Sequence, residues 1–192
     1  ESVIVPHDAS IGGKFDHDNS TSANGWLPHQ EGWYRKSFTI PATAKGKKMF
    51  IKFEGVYRDA KVWFNGEYLG RNLNGYLGFE YDLTPYVKFD EENVIAVHYD
   101  NTIKGTSRWY TGEGIYRDVW LKTVNPVYVP DMGIHITTPF ITNELARVSI
   151  HTKIVNDTEE PGEIIIETEI VDPTGNTVTS KKAVVYLQYL KD

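Results

Sequence analysis

From Trp33 onward, apolar residues return at every second position, and that periodicity most narrows what this chain can become. Tyr34, Phe38 and Ile40 share one face before Pro41 stops the run; Met49, Ile51 and Phe53 repeat it, and so do Val62 and Phe64. Successive side chains of a strand point to opposite faces, so these runs read as half-buried β-strands. Asn65-Gly66 follows the third run directly and leads into Glu67-Tyr68-Leu69-Gly70. A type I′ turn needs positive φ at both central residues, and Asn-Gly is the pair that tolerates it best. Phe79, Tyr81 and Leu83 alternate next; then Ile95, Val97 and Tyr99 face one way, with Val94, Ala96 and His98 on the other. Short strands punctuated by turns at this spacing predict an all-β sandwich.

Composition agrees and excludes several functions. The 192 residues can bury one sizeable core or two small ones, and 12 Tyr, 8 Phe and 5 Trp favour sheet over helix. The formal charge of −6, with no run of Lys or Arg, argues against a nucleic-acid face. With no cysteine there is no disulfide framework, thiolate metal site or cysteine nucleophile. No apolar run approaches the ~20 residues that span a bilayer. The first residues, Glu1-Ser2-Val3-Ile4-Val5-Pro6-His7, show neither a signal peptide nor an initiator Met, and read as a processed or trimmed end.

Residues 1–32 are irregular and polar, as in a functional loop or a segment wrapped along a sheet edge. Near Asn125-Pro126 the aromatics thin out, all five Trp lying before that point. Cleaner strands follow at Ile134/Ile136, Val148/Ile150/Ile154, Ile164/Ile166/Ile170 and Val184/Tyr186, with a turn at Asp172-Pro173-Thr174-Gly175-Asn176. We expect two domains, 1–126 and 127–192. The second reads as immunoglobulin-like and truncated, because it has four or five strands against the ~7 of such a domain.

Most candidate reactive groups have an ordinary structural explanation. There is no G-x-S-x-G elbow, and the six histidines form no i,i+2 or i,i+4 pair, so neither a serine triad nor a zinc site is expected. His98 alternates with Val94 and Ala96 and is expected to be a satisfied core or rim histidine. Asp16-His17-Asp18-Asn19-Ser20 spaces oxygens as a Ca²⁺ loop does, but Thr21 and Leu27 replace the Gly and Glu such a loop needs; a solvated loop of Asx turns is expected. Glu91-Glu92 and Glu159-Glu160 lie in polar turns, where nothing separates their acidities for glycoside hydrolysis. Among the aromatics, Trp33, Trp63 and Trp120 are expected to fill the sandwich. Trp109 and Tyr110, in the glycine-bearing stretch Ser107–Trp120, and also Trp26, are expected at the surface, where an aromatic face can pack on a sugar ring.

Six pieces occur in order over about 120 residues: Gly32-Trp33-Tyr34-Arg35-Lys36-Ser37-Phe38, Phe53-Glu54-Gly55-Val56, Val62-Trp63-Phe64-Asn65-Gly66, Gly75-Tyr76 with Phe79-Glu80-Tyr81-Asp82-Leu83-Thr84, Glu92-Asn93-Val94-Ile95-Ala96-Val97, and Arg108-Trp109-Tyr110 through Gly114-Ile115-Tyr116-Arg117-Asp118-Val119-Trp120. Together they resemble the N-terminal sugar-binding, jelly-roll domain of family 2 glycoside hydrolases, the β-galactosidase, β-glucuronidase and β-mannosidase group. Pro6-His7-Asp8 is similar too, and the segment after residue 127 resembles the start of the family's immunoglobulin-like second domain.

The resemblance implies a fragment of a retaining β-glycosidase, most nearly a β-galactosidase. Its two catalytic glutamates would sit on a separate (β/α)₈ barrel that needs at least ~200 further residues. It implies an inactive fragment with no catalytic residue, metal or cofactor of its own. Its partners would be carbohydrate and the enzyme's own barrel, with room for a homo-oligomer, in a periplasmic or secreted setting. Substrate-rim candidates are Arg108, Trp109, Tyr110 and Asn19. In the family an Asp just before the aromatic pair touches the sugar; Arg108 stands there, exchanging an acceptor for a donor. Thr111, Glu113 and Ala9 also depart from the family's usual Pro, small residue and Trp. The rival readings are a free carbohydrate-binding module and a structural β-sandwich without a ligand.

Overall fold

A computed structural model describes residues 1–103, 108–158 and 160–188, in which every extended element is a strand and the helical turns are three short 3-10 segments. The chain's contacts divide it into two units, Glu1–Thr123 and Val124–Asp192. The first holds β1 (Glu31–Thr39), β2 (Lys48–Phe53), β3 (Ala60–Phe64), β4 (Glu67–Asn72), β5 (Phe79–Asp82), β6 (Glu92–Asp100) and all but the last residue of β7 (Val119–Val124). They form a four-stranded sheet in the order β1-β6-β3-β4 and a three-stranded sheet in the order β5-β2-β7.

The inward faces of the two sheets make one core, in which Phe53 of β2, Val62 and Phe64 of β3 and Val97 of β6 are at most 2% exposed. Alternation set this up: Ile95, Val97 and Tyr99 are buried together, as the sequence predicts. Asn65 and Gly66 have φ of 52° and 92° and turn β3 into β4, so the hairpin is the one their types favour. The Asn65 side chain does more than tolerate the turn. Its Oδ1 accepts from Val94 N at 2.8 Å, and its Nδ2 donates to Tyr86 O at 2.8 Å and Asn93 Oδ1 at 2.9 Å.

The tryptophans correct the sequence reading. Trp33 and Trp120 are 63% and 54% exposed and Trp63 is half-buried, so they do not fill the sandwich. The reason is phase. The period that turns Tyr34, Val62, Phe64 and Val119 inward turns Trp33, Trp63 and Trp120 outward. On the outer face of the larger sheet Trp33 and Trp63 meet at 5.1 Å between ring centroids, and Tyr68 extends the row at 5.3 Å from Trp63. Ala96, paired with Trp63 on the intervening β6, is small enough to leave the indoles in contact. His98 tucks against Trp33 at 4.8 Å, and its Nε2 lies 3.1 Å from Glu31 Oε2; it is a satisfied histidine on the outer face.

The second unit holds β8 (Val127–Tyr128), β9 (Ile134–Ile141), β10 (Ala146–Thr152), β11 (Val155–Asn156), β12 (Gly162–Val171) and β13 (Thr177–Leu187). They pair as β9–β10, β8–β11 and β12–β13. The expected apolar positions fall on these strands, except that Ile154 lies between β10 and β11. Ile134, Ile136, Phe140, Ile165, Val184 and Tyr186 are each about half exposed or more.

Candidate functional site

The loop from Arg108 to Tyr116 carries the predicted rim residues, and three of the four predicted residues open it. Ser107, just before, lies outside the described residues. Arg108, Trp109 and Tyr110 are exposed, whereas Gly112, Glu113, Gly114 and Ile115 are buried. The loop is therefore anchored at its back and open at its front. Gly112 and Gly114 have φ of 67° and 85°, and a Cβ on Gly114 would lie 2.1 Å from Tyr34 Oη. No other residue fits that position without moving the tyrosine. Gly114 also exchanges backbone hydrogen bonds with Tyr57 at 2.7 and 2.9 Å.

On one side the loop meets aromatics. Trp109 Nε1 donates to Tyr76 Oη at 3.1 Å, Tyr76 packs edge-on against Tyr57 at 5.4 Å, and Tyr116 Oη donates to Gly75 O at 2.8 Å. On the other side it is latched by acids. Asp8 Oδ2 accepts from Tyr110 Oη at 2.5 Å, while Asp8 Oδ1 accepts from Ser10 N at 3.0 Å and Glu113 N at 3.2 Å. Glu113 is fully buried. Its carboxylate accepts from Ser10 Oγ, from Gln30 N at 3.2 Å and from the Asn101 amide.

Electrostatics follow from that packing. Burial pushes the Glu113 carboxyl above its ordinary value, against the three donors that favour its ionised form; the nearby Asp8 charge adds to the rise. Burial also raises Tyr34, and it raises Tyr110 with help from the hydrogen bond to Asp8. Asp8 and Glu113 spend their oxygens on the protein itself, so they position the loop instead of offering an acid/base pair. What faces outward is one guanidinium and two aromatic rings, a set that can pack on a ring's apolar face and donate to its oxygens.

Asn19, the fourth predicted residue, is not drawn into this cluster. Its N and Nδ2 both donate to the Asp16 carboxylate, at 3.0 and 2.8 Å, in an exposed Asx turn. Sequence reasoning missed Asp8, Tyr76 and Ser10 as contributors, and it noted Glu113 only as a departure from family habit. Of the paired glutamates, Glu91 and Glu92 are exposed as expected, while Glu159 lies outside the described residues.

Residues 19–126 match the family described as "Glycosyl hydrolases family 2, sugar binding domain". The chain belongs to glycosyl hydrolase family 2. Among curated family 2 relatives, the beta-galactosidase BoGH2A of Bacteroides ovatus is 39% identical over 180 residues, covering 93% of this chain and 21% of that protein. A beta-glucuronidase of Formosa agariphila is 34% identical over 200 residues, covering 93% of this chain and 20% of that one. Among solved structures, a beta-glycosidase from Bacteroides vulgatus superposes with a TM-score of 0.88 at 39% identity, over 96% of this chain and 24% of its own. This family 2 chain thus spans about a fifth of the length of the curated relatives it matches.

Proposed function

We propose that this chain is the N-terminal, non-catalytic part of a retaining β-glycosidase that hydrolyses terminal β-galactosides. In this reading residues 1–126 are its jelly-roll sugar-binding-type domain and 127–192 part of an immunoglobulin-like domain. The domain closes one side of a substrate pocket whose reaction is performed elsewhere in the polypeptide, and the 192 residues alone turn nothing over. The observation that carries this is the latched loop. Trp109 is held forward by Tyr76 and Tyr110 by Asp8, with the exposed Arg108 next to them in the chain, while the residues that follow, Gly112 to Ile115, are buried. Such an arrangement keeps a contact surface in place before a ligand arrives, which lowers the cost of ordering on binding.

The test compares this chain with the full-length polypeptide on 4-nitrophenyl β-galactoside and β-glucuronide. The full polypeptide is expected to hydrolyse the galactoside in preference, and the chain alone to release no nitrophenol. In the full enzyme Arg108→Ala is expected to raise KM about tenfold with a smaller change in kcat, the mark of a lost binding contact. Turnover by the chain alone, or an inactive full polypeptide beside calorimetric binding of galactose by the chain, would favour a free module and overturn the proposal.

A further inference from the structure

The rings that alternation turns outward on the larger sheet form a continuous platform. Trp33 of β1, Trp63 of β3 and Tyr68 of β4 follow one another at 5.1 and 5.3 Å between centroids. β1 and β4 are the outermost strands of that sheet, three strand spacings apart, so the row crosses it over about 14 Å. Trp33 and Tyr68 are more than half exposed. Single exposed apolar side chains are ordinary, whereas a contiguous patch of them marks a place where something binds. The platform is also ready-made. His98 lies against Trp33, and the small Ala96 leaves the two indoles in contact.

The polar ends of these rings are uncommitted. Among the described residues, the indole N–H groups of Trp33 and Trp63 and the Tyr68 hydroxyl have no hydrogen-bond partner. By contrast, Trp109 Nε1 donates to Tyr76, and Trp120 Nε1 donates to Glu54 Oε1 at 2.9 Å. Charges stand among the rings as well. Arg35 shares a cross-strand row with Ala96 and Trp63, and Lys61 shares the next with His98 and Trp33. Arg35 has no ion-pair partner among the described residues. The core of a protein–protein interface is depleted of Lys and Glu, so Lys61 and the exposed Glu31 on this face speak against a protein partner. A sugar ring matches both halves of the surface. Its C–H face packs on an aromatic ring, while its hydroxyls reach the N–H, guanidinium and carboxylate groups around it.

We propose that the outer face of the β1-β6-β3-β4 sheet binds a linear β-glycan chain of equatorially linked pyranoses, at a site separate from the rim loop. Trp63 stacks on the middle of the bound stretch, Trp33 and Tyr68 on its two ends, and Arg35 donates to ring hydroxyls beside them. Equatorial linkage keeps the chain extended and leaves each ring an apolar face to stack. The aromatic rings are tilted by 35° and 51° from one another, which suits a single chain able to turn about its linkages and not the coplanar rings of a crystalline layer. Tyr34 faces inward and meets Gly114 of the rim loop, whereas its neighbour Trp33 faces the opposite way, so the two surfaces are distinct. Because the platform is preformed, little ordering opposes binding. The inference does not rest on the reading of the chain as part of a galactosidase.

The test is isothermal titration of the full-length polypeptide, and of this chain beside it, with cellohexaose and with xylohexaose. The two share the β-linkage and differ in the group at C5, so they separate a glucan from a xylan as the source. Saturable binding of at least one is expected, and none of maltohexaose, whose α-linkages curve the chain. Trp63→Ala and Trp33→Ala are each expected to weaken binding about tenfold, and Trp33→Phe, which keeps a ring, by less. Arg35→Ala removes a surface cation without touching the rings and is expected to weaken binding about threefold. Urea unfolding of Trp33→Ala and Arg35→Ala is expected to match wild type, so that lost affinity is not lost fold. Trp109→Ala on the rim loop is expected to bind as wild type does. Failure of both β-linked hexasaccharides to bind, equal binding of maltohexaose, or binding lost in Trp109→Ala and kept in Trp63→Ala would each overturn the proposal. So would binding by this chain but not by the full-length polypeptide, which would make the face a contact within the larger protein. The heat of binding does not depend on glycoside turnover, so the two proposals fail separately.

Discussion

Glu113 shows how a single residue can hold a loop and set its pH response. Its carboxyl sits above the usual value chiefly because it is buried, so the native state keeps its proton to higher pH than the unfolded chain does. The native state therefore binds more protons through that interval, and stability falls as pH rises from the ordinary glutamate value of 4.5 toward the raised one. Glu113→Ala removes that slope but strands Ser10 Oγ, the Gln30 amide and Asn101 without their acceptor. The expected loss is about 2–4 kcal/mol at neutral pH, read from urea unfolding of wild type and variant between pH 4 and pH 8. Little of this was legible in the sequence. Ser10 and Asp8 lie 103 and 105 residues from Glu113, and a pairing across that separation leaves no periodic trace. The tryptophans failed for another reason. Residue type argued for burial, while the phase of alternation, already visible around Tyr34 and Val62, argued for exposure and was obeyed.

At the scale of elements, turns are where local chemistry and fold agreed. Asn65-Gly66 was readable because its backbone demand is local; the hydrogen bonds from Asn65 to Tyr86, Asn93 and Val94 were not, because they join three other segments. The two roles separate on mutation. Gly66→Ala forces a Cβ at φ 92° with nothing within 4 Å of it, and is expected to cost about 1 kcal/mol. Asn65→Gly keeps the turn but leaves those partners unpaired, and is expected to cost more, about 2–3 kcal/mol, in the same chemical denaturation. The turn between β12 and β13 offers a second case. Thr174 and Asn176 donate to the Asp172 carboxylate and hold it down to about 2. A lowered value means that the turn's stabilising effect is present above the ordinary 3.8 and fades as pH falls toward 2. A carbon NMR titration is expected to find Asp172 still ionised at pH 3.

For the whole molecule, the two units differ in how much they bury. Every apolar residue of the buried core lies at or before Ile115, while the long strands of the second unit keep large aliphatic side chains in contact with solvent. Exchange measured by mass spectrometry is expected to show β3 and β6 protected for hours and β9 exchanged within minutes, because opening free energy follows buried contact. Uniform protection of both units would contradict this. The sequence disclosed the all-β class through alternation and the family through motif order. It did not disclose which strands end their sheets, such as β1 and β7, since an outermost strand carries the same period as an inner one. The outer aromatic row has an optical consequence. Two indoles 5.1 Å apart and tilted by 35° couple their electronic transitions, so Trp33 and Trp63 should give a paired positive and negative band in the circular dichroism. Trp33→Phe would abolish that couplet, and unfolding would erase it. The molecule thus carries its own label-free gauge of whether β1 and β3 remain in register across β6.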